Sequence, residues 1–146
     1  IENNVQHSNR TQHDWSKSTE IFSMPLRLGD SFTWPFTQDE YLEQVSSSRF
    51  GLCLPGYGPK CNREIELLGL GVVPLITDRV CVTYHDPLIE GQHYLRVQSP
   101  GHMTAVLEKC SDAQWKFLSH HGKEWYNRNC SRQGSFEITQ RIVEGG

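Results

Sequence analysis

Hydrophobic and polar positions along this chain fall into short continuous apolar runs separated by stretches with helical spacing. The contrast is sharpest between Ser48 and Asp78. Residues 50–54 form an apolar run that Pro55, Gly56, Tyr57, Gly58 and Pro59 break. Residues 62–70 have helix-forming character, Gly71 stands where a helix would stop, and 72–76 is apolar again. Short apolar runs bounded by turn residues read as buried strands. The stretch therefore predicts a strand, a glycine-rich turn, a helix and a second strand. A crossover of this kind is what two parallel strands require, and it is the building block of a sheet covered by helices.

The rest of the chain is read by whether it supports that unit. The polar N-terminal segment predicts a helix over 2–13, with Ile1 and Val5 on one face. A short strand is expected in 21–28, where Pro25 favours an edge or irregular position. Thr37 and Glu40 have capping-box spacing and open a helix over 38–46, with Tyr41, Leu42 and Val45 turned inward. After the central unit come a strand piece at 80–82, a turn at 87–91 and a third core strand at 93–97. Helices follow over 102–110, over 112–127 with Ser111 as N-cap and Trp115, Leu118 and Trp125 inward, and over 135–144. The expected fold is α/β, a Rossmann-like three-layer α/β/α arrangement around a small, mainly parallel sheet, with residues 1–146 as a single domain.

Composition narrows the function. A chain of 146 residues with 36% hydrophobic and 21% charged residues suits a globular domain with a normal core. A net charge of -3 without a Lys/Arg run argues against a nucleic-acid face. No apolar run approaches the ~20 residues of a membrane span. The chain opens inside a polar segment without methionine and reads as a fragment of a longer protein or a processed chain. Five cysteines show no paired metal-ligand spacing, and Cys53 and Cys81 read as small buried residues within apolar runs. Sequons at Asn9 and Asn129 permit a secretory-pathway location, and a Golgi one if the parent is eukaryotic.

Candidate chemistry gathers on the central unit. Glycines at a strand end let backbone N–H groups approach a phosphate, so Gly56, Tyr57 and Gly58 are either a phosphate loop or simply a tight turn. The pattern is neither a dinucleotide fingerprint nor a P-loop. Arg63 and Glu66 share one helix face, Asn62 precedes them, and Glu64 is expected to face solvent. Such a pair is either an exposed ion pair or a ligand grip, in which the arginine holds a diphosphate and the glutamate accepts from ribose hydroxyls. Pro74 argues for an edge strand or a parallel strand with one N–H to spare. Asp78 stands at a strand's carboxyl end, where open parallel sheets hold their ligands. His85 and Asp86 lie in the following loop, either at the surface or within reach of the same crevice. No G-x-S-x-G elbow and no D-x-D stands in the chain, so neither an elbow nucleophile nor a metal site is evident.

These residues carry a resemblance. The run from Ser48 to Asp78 resembles the C-terminal part of exostosin-type glycosyltransferases. Those have an SKF-C-L-x-P-x-G strand and turn, then R-x-x-E-A-x-x-x-G-x-V-P-V-I across helix and strand. Matching positions are Ser48, Phe50, Leu52, Cys53, Pro55, Gly56, Arg63, Glu66, Gly71, Val73, Pro74 and Ile76, with Arg49 in place of lysine. The chain departs from the pattern at Gly51, where cysteine is usual, and at Leu67, where alanine is usual; Asn62 stands where serine-proline is common. The resemblance implies the nucleotide-sugar-binding half of a two-domain GT-B transferase. Arg63 would then face the donor diphosphate and Glu66 the ribose, and Gly56, Tyr57 and Gly58 would line the phosphate or base pocket. It implies an inverting sugar transfer from a nucleotide-sugar donor to a glycan or glycoconjugate hydroxyl, with the catalytic base in the other half. The alternative is a non-catalytic nucleotide- or glycan-binding module of the same fold.

Overall fold

The computed structural model describes residues 37–55, 60 and 62–145. The helix expected over 2–13, the strand expected in 21–28 and the turn residues Gly56, Tyr57 and Gly58 lie outside them. The chain divides into a unit spanning Ile1–Gln44 and one spanning Val45–Gly146. Helix α1 (Gln38–Ser46) crosses the division. Its first turn closes as the capping box predicts. The Thr37 N–H donates to Glu40 Oε2 at 2.8 Å, and the Glu40 N–H donates to Thr37 Oγ1 at 3.3 Å. No residue of α1 is fully buried, so Tyr41 and Leu42 are only half-covered.

The second unit is mixed α/β. Strand β1 (Phe50–Cys53) leads into helix α2 (Arg63–Leu70), and β2 (Val73–Thr77) follows it. Strand β3 (Leu95–Val97) pairs on the far side of β2, giving a parallel sheet in the order β1-β2-β3. Three helices complete the described residues: α3 (Pro100–Lys109), α4 (Asp112–Asn129) and α5 (Arg132–Val143). Among the described residues no helix is long and apolar enough to cross a membrane.

Local sequence explains each boundary. Gly71 ends α2 at φ 75°, and the chain turns there as the Gly71 N–H bonds to the Leu68 carbonyl and the Val72 N–H to the Leu67 carbonyl. Pro74 sits in the central strand, where a proline is unusual. The Val73 N–H donates to Arg49 on the β1 side, so the next nitrogen points toward β3, and β3 begins only opposite Leu75. The nitrogen without a proton therefore has no ladder bond to lose. Residues 80–82, expected as a strand piece, are irregular. The chain turns at once after β2, with the Val80 N–H on the Thr77 carbonyl, which leaves no room for a further extended pairing. Helix α3 starts two residues ahead of the expected 102 because Ser99 caps it, its Oγ accepting from the His102 N–H at 3.1 Å, and Pro100 supplies a first-turn residue that needs no N–H. Ser111 and Ser131 cap α4 and α5 in the same way.

The core gathers Cys53, Leu67, Leu68, Val72, Ile76, Val80, Leu88, Tyr94 and Trp125. Gly51 is what brings α2 down onto the sheet. A Cβ there would lie 2.5 Å from Leu67 Cδ2, so the leucine occupies the space that a side chain at 51 would fill. Helix α4 packs on α2 and β2, and Ser119 Oγ donates to the Gly71 carbonyl at 2.6 Å. Trp115 is half-buried, with its Nε1 donating to the Arg49 carbonyl at 2.9 Å and its ring under the Arg49 guanidinium. Helix α5 packs on α4, and Gly134 makes the approach close, since a Cβ would fall 2.0 Å from the Asn127 carbonyl oxygen. That contact covers the first turn of α5 and leaves Phe136, Ile142 and Val143 exposed. Cys53 is buried, whereas Cys81, in the irregular segment after β2, is only half-buried.

Candidate functional site

The carboxyl ends of β1, β2 and β3 form one edge of the sheet, because all three strands run parallel. Arg63 opens α2 directly after the turn that leaves β1. Its Nη1 donates to the Leu52 carbonyl at 3.3 Å, which holds the exposed guanidinium over the end of β1. Glu66 lies one turn further along α2, half-buried, with its N–H on the Asn62 carbonyl at 3.0 Å. The ion pairs among the described residues do not include Arg63 with Glu66. Asn62 is exposed and helical in its backbone, and its side chain does not cap α2. Its amide is therefore not committed to the helix end.

Glu64 corrects the sequence reading. It was expected to face solvent and is fully buried. Helix α2 packs against both the sheet and α4, and Glu64 is on its buried side together with Leu67 and Leu68.

Asp78 is exposed at the end of β2, as the strand assignment requires, but it is not isolated. Arg96, from the middle of β3, reaches it at 3.4 Å and Glu90 at 3.5 Å. The same guanidinium donates to the Tyr94 hydroxyl at 2.9 Å and to the Thr77 carbonyl at 3.4 Å. Lys60, before α2, donates to the Thr83 carbonyl and lies 4.1 Å from the centre of the Tyr84 ring. It ties the turn after β1 to the loop after β2. Neither Arg96 nor Lys60 stood out in the sequence. The signal for Arg96 was a single charged residue inside the short apolar strand.

His85 and Asp86 are elsewhere. They line a cleft of about 350 Å³ with Pro87, Arg128, Asn129, Glu137, Ile138 and Arg141. The cleft shares no residue with the Arg63–Asp78–Arg96 edge. Asp86 pins the loop to α4: its carboxylate accepts from Asn129 Nδ2 at 2.9 Å, and its carbonyl accepts from Trp125 Nε1 at 2.9 Å. This also engages the amide of the sequon residue Asn129, which donates to the Trp125 carbonyl as well.

His93 precedes the amino end of β3, away from the carboxyl edge, and Cys81 follows β2. His93 is buried, and burial pushes its pKa down; Asp86 opposes this, while Arg128 and His121 add to it. Its Nδ1 accepts the Ile89 N–H at 2.9 Å, which requires the neutral ring. The Cys81 thiol is pulled down by hydrogen bonds from the Thr83 backbone and hydroxyl; slight desolvation opposes this and Lys60 assists. Burial pushes Cys110 and Cys130 up.

Comparison with protein-family models, with curated protein sequences and with solved structures returns no match to this chain.

Proposed function

We propose that this chain is the donor-binding half of an inverting, exostosin-like glycosyltransferase of the GT-B type. The Val45–Gly146 unit is then the Rossmann-like layer that holds a nucleotide-sugar. The observation that carries the reading is the placement of Arg63 and Glu66. They stand one turn apart at the start of α2, with Arg63 over the carboxyl end of β1. That edge is where parallel sheets receive ligands.

A second observation supports the resemblance behind this reading. Two of the departures from the exostosin-type pattern, Gly51 for cysteine and Leu67 for alanine, meet in space, with Leu67 filling the volume above Gly51. A small-for-large change on the strand and a large-for-small change on the helix conserve the volume of one helix–sheet contact. The two departures act as one.

In the proposed reaction an acceptor hydroxyl attacks the anomeric carbon of the donor. The bond from that carbon to the diphosphate oxygen breaks, a glycosidic bond forms with inversion, and the hydroxyl proton passes to a base in the partner half of the enzyme. This chain's residues bind the donor and stabilise the leaving diphosphate. Arg63 supplies charge that grows in value as the C–O bond breaks, and Glu66 accepts from the ribose hydroxyls. The test is release of nucleoside diphosphate from nucleotide-sugars by the full-length parent. Release that Arg63→Ala abolishes supports a transferase. Donor binding without release in the presence of acceptor glycans points to the non-catalytic module.

A further inference from the structure

We propose that Arg96 is a second cationic anchor at this edge, paired with Arg63, and that the edge selects ligands carrying a diphosphate over the corresponding nucleosides. The inference rests on the donor-binding reading and assigns it a residue that the exostosin-type pattern does not contain.

The register places the two arginines on one face. Arg96 pairs with Ile76, and Ile76 pairs with Cys53. Paired positions of a parallel sheet point to the same side, and alternation adds Gly51 to that side. Leu67 of α2 packs against Gly51, so α2, Arg63 and Arg96 share this face. Both guanidinium groups also reach the same end of the sheet. Arg63 touches the Leu52 carbonyl and Arg96 the Thr77 carbonyl. Leu52 is opposite Leu75, and Thr77 is two residues further along. One strand spacing sideways and two residues lengthwise put those carbonyls about 8 Å apart. Each guanidinium lies within 3.4 Å of its own carbonyl, so both cations stand at neighbouring strand ends of the same edge.

The engagement of Arg96 is uneven. Its short bond is to the Tyr94 hydroxyl at 2.9 Å, and Tyr94 is itself buried. Its contacts with Asp78 and Glu90 are 3.4 and 3.5 Å, beyond the roughly 2.7–2.9 Å of a well-formed charge-assisted bond. Both carboxylates are more than half exposed, at 63% and 57%, so each returns to water at little cost when displaced. Tyr94 thus fixes the guanidinium from the core side while its outer donors hold loosely to groups that a diphosphate can replace. The planar fork suits phosphate oxygens, which a lysine would meet only as a point charge.

The test titrates the protein with UDP, GDP, uridine and guanosine by calorimetry, using wild type, Arg96→Ala, Arg96→Lys and Arg63→Ala. The expected result is a tenfold or greater loss of nucleoside diphosphate affinity in Arg96→Ala, a smaller loss in Arg96→Lys, and unchanged nucleoside affinity in both. If Arg96→Ala unfolds, the lysine variant, which keeps the charge and the alkyl stem, carries the comparison. Equal diphosphate affinity in wild type and the Arg96 variants, alongside a loss in Arg63→Ala, overturns the role of Arg96 and leaves the donor reading standing. Parallel loss of nucleoside and diphosphate binding also overturns it, because that is the mark of a distorted fold. A wild type that binds neither UDP nor GDP overturns the donor reading and this inference with it.

Discussion

Replacing Gly71 by alanine probes the joint on which the central unit turns. Gly71 has φ 75°, a conformation that costs an L-residue about 1–2 kcal/mol. Alanine recovers about 0.4–1 kcal/mol by restricting the unfolded chain. The added Cβ would lie 3.0 Å from Lys123 Cδ and 3.1 Å from Ser119 Oγ. The lysine stem can swing aside. The serine cannot retreat without lengthening its 2.6 Å bond to the Gly71 carbonyl, and a hydrogen bond of this kind contributes about 0.5–1.5 kcal/mol. The sum is a destabilisation of about 0.5–3 kcal/mol, at roughly 4–8 °C in Tm for each kcal/mol in a unit of this size. Gly91 is the internal control. It has φ 78° and nothing within 4 Å of its added Cβ, so Gly91→Ala carries the backbone cost alone. Urea unfolding followed by far-UV circular dichroism gives both values. Gly71→Ala should lose more stability than Gly91→Ala at an unchanged m-value. Equal losses, or a Gly71→Ala protein as stable as wild type, would refute the argument that α4 is braced on this turn.

Three further outcomes are expected. Leu67→Ala should cost about 2–5 kcal/mol as a buried cavity, and Gly51→Cys alone about 1–3 kcal/mol from overpacking. The double variant should lose less than their sum, by about 1–3 kcal/mol, and strict additivity in urea unfolding would separate the two sites. Because the folded His93 pKa lies below its ordinary value of 6.5, its contribution to stability is complete above that pH. It is lost as pH falls through the folded value, where protonation of Nδ1 breaks the bond from Ile89. Melting temperatures between pH 7.5 and 5 should fall more steeply for wild type than for His93→Asn, and identical slopes would contradict this. Under native conditions iodoacetamide should label Cys81 faster than Cys110 or Cys130, as peptide mapping would show; the reverse order would count against the thiolate-stabilising contacts of Thr83.

The central unit was legible because it rests on local rules. An apolar run of strand length, a capping glycine and helical spacing located β1, α2 and β2 to within a residue or so. The Ser111 cap of α4 follows from the same chemistry, whereas the Ser131 cap of α5 was not foreseen and α5 begins three residues earlier than expected. What escaped depends on tertiary neighbours. Glu64 is a charged residue, yet it is fully buried on the packed face of α2 with Leu67 and Leu68. Of the two placements the sequence leaves for Pro74, the parallel strand with an N–H to spare is the observed one, because β3 starts late. The sequence leaves His85 and Asp86 open between the surface and the crevice, and the bonds of Asp86 to Trp125 and Asn129 hold their loop on α4. Arg96 joined the candidate site only once the register put it opposite Ile76. Spacing could bring Arg63 and Glu66 together on a helix, but no local rule brings a residue thirty-three positions on to the same edge.

The most direct test of the account is the affinity of this chain for a nucleoside diphosphate with and without Arg63. Calorimetric titration of the wild type with UDP and GDP should show saturable binding of at least one of them. Arg63→Ala should weaken that binding at least tenfold, consistent with loss of one charge-assisted contact of about 1.5–3 kcal/mol, while leaving Tm within a few degrees. Binding that survives Arg63→Ala unchanged, or a well-folded wild type that binds neither nucleotide, would contradict the assignment of this edge as a donor site.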